Sequence, residues 1–108
     1  MSDPGARSGV QWTVPFARNK RALTPKGKSA LKRLAQAAHY FPLENITLVG
    51  YAGPKEPYPR LLAARRAKAV SRHLVEKHGL PCERIRTRDA VVETSAHKVD
   101  ASIVPGAE

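Results

Sequence analysis

The sequence is short of four things: it has one cysteine, 6% aromatic residues, nine acidic side chains against 19 Lys plus Arg, and no long apolar run. A lone cysteine, Cys82, excludes an internal disulfide framework and any cysteine-rich zinc module. With so few aromatics, the core must be built from Val, Leu, Ile and Ala. No stretch approaches the roughly 18 consecutive apolar residues of a membrane helix, so no membrane insertion by this segment is expected. The opening MSDPGARSG also lacks the apolar centre of a secretory signal. These features imply either a cytosolic protein or a soluble domain cut from a longer chain. The shortage of acid leaves a formal charge of +10 and a pI near 10.4, which implies an anionic partner or anionic surroundings without saying which.

What is present fits one domain, as expected for 108 residues. Residues 1–9, with Pro, Gly and Ser and no apolar period, read as a flexible leader or an added remnant, and 10–108 as the single folded unit. Val10, Trp12 and Val14 alternate with Gln11 and Thr13, a strand period, and Pro15 makes this an edge strand or its last paired position. The stretch 18–33 is basic and contains no acid. Thr24-Pro25 predicts a helix start, the hydroxyl accepting an early N–H and proline needing no donor. In the helix 25–39 that follows, Gly27, Leu31, Leu34, Ala35 and Ala38 share one face. Residues 45–51 (NITLVGY) read as a strand and the Pro- and Gly-rich 52–59 as a loop. Ala63, Ala67, Val70 and Leu74 mark a second helix over 59–78, stopped by Gly79 and Pro81. Strands over 84–89 and 99–104 follow, and the short DAVVETSAHK between them predicts a hairpin. The order β-α-β-α-β-β implies an α+β sandwich, two helices packed on one face of a mixed sheet.

Chemistry is sparse. His39, His73, His78 and His97 have no i, i+4 pairing and no carboxylate or cysteine constellation, so no metal site is expected. The GYAGP segment has neither a phosphate-loop nor a dinucleotide fingerprint, so no cofactor is expected. Cys82 has no legible His and Asn or Asp arrangement around it and reads as a small, semi-buried residue. With no nucleophile and base, and no carboxylate pair at legible spacing, the chain reads as a binding domain and not an enzyme.

Several local patterns carry a resemblance. Leu23-Thr-Pro-Lys-Gly before the first helix, the strand ITLVGY, the helix LAARRAKAV and the following GLPCERI together resemble the OmpA C-terminal-like domain. That family is shared with the peptidoglycan-associated lipoprotein and flagellar stator proteins of bacterial envelopes. The likeness covers residues 14–104. It implies a periplasmic domain of a larger envelope protein, for example in a secretion, conjugation or pilus apparatus. In the family, an aspartate meets the ammonium group of a diaminopimelate side chain in the peptidoglycan stem peptide, and an arginine meets its carboxylate. By position Arg66 keeps the second role, whereas Gly53 stands where the aspartate would be. Glu56, the one acid of the loop, is the candidate replacement. Ala96-His-Lys-Val-Asp-Ala101 replaces the family's final NRRVEI, so His97 and Lys98 are the remaining cationic candidates.

The residues alone leave Arg66 open between a carboxylate clamp near the start of the second helix and a solvent-facing arginine lying along the apolar stripe. With Gly53 in place of the family's aspartate, the resemblance implies that recognition of the wall is weakened or lost. Two other readings stand beside it: a protein interaction module using the 52–60 loop and the 60–72 helix face, and a basic nucleic-acid-binding domain. The second lacks paired aromatics for base stacking and a GXXG loop.

Overall fold

The computed structural model describes residues 11–41, 44–92 and 97–104. Val10 and the proposed leader 1–9 lie outside them. Strand β1 (Gln11–Pro15) leads to helix α1 (Pro25–Tyr40), β2 (Asn45–Ala52), helix α2 (Pro59–His78), a 3-10 turn (Cys82–Arg84), β3 (Ile85–Val91) and β4 (Lys98–Val104). This is the expected two-helix, mixed-sheet α+β architecture.

Strand order is β1-β4-β2-β3, with β2 parallel to β3 and antiparallel to β4. The predicted hairpin between the last two strands does not form, because β2 lies between them. Burial explains the order. Ile46, Leu48, Gly50 and Ala52 of β2 are all buried, which suits an interior strand. Arg86, Thr87, Arg88 and Asp89 of β3 are exposed and suit an edge, where charge discourages further pairing. Pro15 is the last paired residue of edge strand β1, opposite Lys98.

Helix α1 begins, and helix α2 ends, as their sequences require. The Thr24 hydroxyl accepts from the Gly27 N–H at 3.0 Å and donates to the Pro15 carbonyl at 3.4 Å, tying the helix start to β1. Gly79 closes α2 at φ 69°, with Leu80 N–H donating to Leu74 O. The buried face of α1 is Gly27, Leu31, Leu34, Ala35 and Ala38. Helix α1 packs on β1 and α2 on β2 and β3, so the core from Val14 to Ile103 lies in one layer between helices and sheet. Gly50 lets α2 come down onto the sheet, since a Cβ there would lie 2.1 Å from the carbonyl oxygen of Ala63.

Arg84 holds the far end of α1. Its Nε donates to Glu44 O at 2.8 Å and its Nη2 to Phe41 O at 2.7 Å, with Ala38 O at 3.4 Å. A cation on the last carbonyls satisfies groups that the helix leaves open and suits its dipole. Cys82 corrects an expectation: it is exposed, not semi-buried. The turn that carries it buries none of its residues, and the neighbouring apolar anchor is Leu80. Among the described residues no helix is long and apolar enough to cross a membrane.

Candidate functional site

The inner face of α2 contains one residue that its apolar neighbours do not explain. Arg66, on the same buried side as Leu62 and Val70, has a fully buried side chain. A guanidinium carries five N–H donors, and burying it unpaired would be costly, so each donor needs an acceptor. The loops at this end of the sheet provide them. Nε donates to Lys20 O at 2.9 Å, Nη1 to Tyr51 O at 2.8 Å and Nη2 to Ala17 O at 3.2 Å. Nη1 and Nη2 also donate to the two oxygens of Glu56, at 3.1 and 2.6 Å, as a bidentate fork. The guanidinium carbon stands 5.6 Å from the centre of the Phe16 ring.

Glu56 is as deeply engaged. It is 3% exposed. The loop folds back so that Glu56 N–H donates to Gly53 O at 3.1 Å, and the Gly53 N–H in return donates to Oε1 at 2.9 Å. Oε2 accepts from the Asn19 N–H at 2.8 Å. Asn19 sits at φ 61°, a left-handed conformation that asparagine tolerates better than most residues, and this turns its N–H toward the carboxylate. Four segments, the 17–20 loop, the end of β2, the 53–56 turn and α2, therefore meet on one ion pair.

The electrostatics follow from the same contacts. Burial by itself raises the Glu56 pKa, but hydrogen bonds from Arg66, Gly53 and Asn19, and the charge of Arg66, outweigh it and bring it from 4.5 down to about 2. Because the folded-state value lies below the unfolded one, this pair's stabilisation is fully present above pH about 4.5 and is lost as pH falls toward about 2. Melting curves recorded between pH 5 and 2 should therefore fall more steeply for the wild type than for Glu56→Gln.

The residues singled out from sequence are distributed as follows. Arg66, Glu56 and Gly53 come together. Complete burial rules out the solvent-facing reading of Arg66. Glu56, considered as a partner for an ammonium group, is instead paired with Arg66. His97 borders the cluster, its Nδ1 lying 3.2 Å from Glu56 Oε1 without a hydrogen bond. Lys98 is not part of it. Val99, Ala101 and Ile103 face the core, so Lys98 points to the opposite side of the sheet, where it approaches Asp100 at 3.4 Å and the Tyr51 ring at 5.2 Å. The backbone of 17–20 was not anticipated, and the left-handed preference of Asn19 was its one local signal. Among the described residues no group of three His, Cys, Asp or Glu is placed to hold a metal.

The sequence model of the OmpA family matches residues 15–102. No curated protein is a match. Among solved structures, the OmpA-like domain of FopA1 from Francisella tularensis has a TM-score of 0.77 at 23% identity, covering 92% of this chain and 82% of that one. The peptidoglycan-associated lipoprotein from Burkholderia pseudomallei has a TM-score of 0.68 at 19% identity, covering 86% and 88%. The cell wall anchor of the T6SS from Pseudomonas aeruginosa has a TM-score of 0.70 at 17% identity, covering 88% and 80%. At these identities the structural likeness speaks for the fold.

Proposed function

Since the chain belongs to the OmpA family, we propose that it is a non-catalytic periplasmic domain of a larger envelope protein, one that scaffolds a secretion, conjugation or pilus assembly and whose recognition of the peptidoglycan stem peptide is weakened or lost. The envelope half of this reading is supported by relatives named for peptidoglycan association and cell wall anchoring. The weakened half is carried by one observation, the 2.6 Å contact of Arg66 with Glu56 inside the fold. A ligand carboxylate would have to displace an internal one held by three neighbouring groups. Gly53, where the family resemblance implies an aspartate, has no side chain to meet an ammonium group.

An NMR titration with a diaminopimelate-containing stem peptide tests this. Amide signals of 53–66 and His97 should be unchanged at micromolar peptide and show at most unsaturated shifts at millimolar peptide. Saturable shifts there at micromolar peptide would reverse the proposal.

Of the other readings, nucleic-acid binding has the weaker support. The strand register puts Thr47, Val49 and Tyr51 with Arg86 and Arg88 on the open sheet face, leaving Tyr51 as its one aromatic among the described residues. A protein interaction module on the same scaffold is favoured by the outer surface of α2.

A further inference from the structure

The outer side of α2 forms a groove with the 21–23 segment ahead of α1, about 890 Å³ in volume. Its banks are cationic, with Arg21 and Lys28 on one side and Arg65, Lys68 and Arg72 on the other. The groove's acid, Glu76, is already 3.9 Å from Arg72. Its apolar lining includes Leu23, Ala64 and Ala69. His73 lies on the groove wall. Its pKa is lowered, first by burial and then by the charges of His78, Lys28 and Lys77.

At the N-terminal end of α2 the groove runs into a second hollow of about 700 Å³, and the two share Leu61 and Ala64. Tyr58, Leu61 and Val91 line this second hollow, exposed by 80%, 47% and 42%. Large apolar side chains left in water at a helix start, continuous with a cationic channel, are an arrangement that neither packing nor solubility requires. The left-handed backbone of Tyr58, at φ 47°, directs its ring there at a conformational cost.

The two halves of this surface specify the partner. A second copy of the chain is disfavoured by a net charge of +10, which makes like surfaces repel. A uniformly charged polymer would use the banks but gain nothing from the apolar end. We propose that this surface docks an acidic amphipathic segment of a partner protein, its apolar side chains seated among Tyr58, Leu61 and Val91 and its carboxylates running along Arg65, Lys68 and Arg72. Apolar anchoring supplies affinity, and the charges set orientation and on-rate. The inference is independent of the envelope reading, and no wall fragment enters its test.

Fluorescence anisotropy can be run with a labelled peptide of interleaved glutamate, leucine and tryptophan, a glutamate–serine peptide of equal charge, and an oligothymidine of equal charge. The amphipathic peptide should bind about tenfold or more tighter than the other two, a difference of about 1.4 kcal/mol. Leu61→Ala should remove most of that margin, and Lys68→Glu should weaken both peptides by severalfold. If Leu61→Ala disturbs the fold by circular dichroism, Tyr58→Asn reads the same apolar end with a residue suited to its backbone. Equal binding of the two peptides, or indifference to Lys68→Glu, would overturn the proposal. Tighter binding of the oligonucleotide would also overturn it, assigning the groove to phosphates.

Discussion

Arg66→Met should lower the melting temperature more than any other single side-chain truncation in the protein. The substitution keeps the bulk of the side chain but leaves the Glu56 carboxylate buried without its cation, along with the carbonyls of Ala17, Lys20 and Tyr51. Removing one partner of a buried ion pair typically costs about 3–5 kcal/mol, against a total stability of about 5–15 kcal/mol for a domain. At about 4–8 °C per kcal/mol for a domain of this size, the melting temperature should fall by about 15 °C or more. A buried pair is not in itself a strong source of net stability, because desolvation offsets much of the attraction. Arg66→Met combined with Glu56→Met should therefore recover a substantial part of the loss. If Arg66→Met melts within a few degrees of the wild type, the buried pair is not what joins the loops to α2.

Gly50→Ala should be nearly as damaging through a different mechanism. The added Cβ would lie 2.1 Å from Ala63 O, 3.0 Å from Ala63 C and 3.1 Å from Ala67 N. All three are backbone atoms of α2, so no rotamer change relieves the contact and the helix itself must move away from the sheet. Overpacking of this kind costs about 3 kcal/mol or more at the severe end. Because α2 carries Arg66, the displacement should also loosen the grip on Glu56, and the variant should lose part of its acid-dependent melting slope. Gly27→Ala is the control. Its Cβ would meet the Cγ1 of buried Val14 at 3.0 Å and Thr24 Oγ1 at 3.3 Å, side-chain atoms and not backbone, while alanine favours a helix interior. Its melting temperature should fall by clearly less than that of Gly50→Ala, whereas equal damage by both substitutions would show that backbone contact is not the cause.

Those two sites also show what the sequence discloses. The apolar spacing of both helices, the Thr24-Pro25 start and the Gly79 stop are local signals, and each element forms where they point. Strand order is not local. A short connection suggested pairing of β3 with β4, but burial of both edges of β2 decided otherwise, and nothing in the connection's own residues records that competition. Family resemblance draws attention to Arg66, but its acceptors are largely backbone carbonyls, which have no sequence signature. Glu56 was noticed as the loop's one acid, and only the fold of the 53–56 turn reveals that it reaches the guanidinium. The stretch in place of the family's NRRVEI points to His97 and Lys98 together, although neighbouring residues at a strand edge face opposite sides. Arg84 is visible as part of a motif without a role, since its task is to satisfy carbonyls 40 to 46 residues away in sequence.

In this chain, then, the Arg66 guanidinium has its anion supplied from within, by Glu56. The most direct measurement of that state is the Arg66 guanidinium signal in a nitrogen-edited NMR spectrum. Its Nη–H resonances, which carry the bonds to Glu56, should be resolved from the exposed arginines, slow to exchange with water, unmoved by micromolar stem peptide, and strongly shifted in Glu56→Gln. Arg66 Nη–H signals that exchange like the surface arginines, ignore Glu56→Gln, or shift saturably at micromolar stem peptide would contradict an internally occupied site.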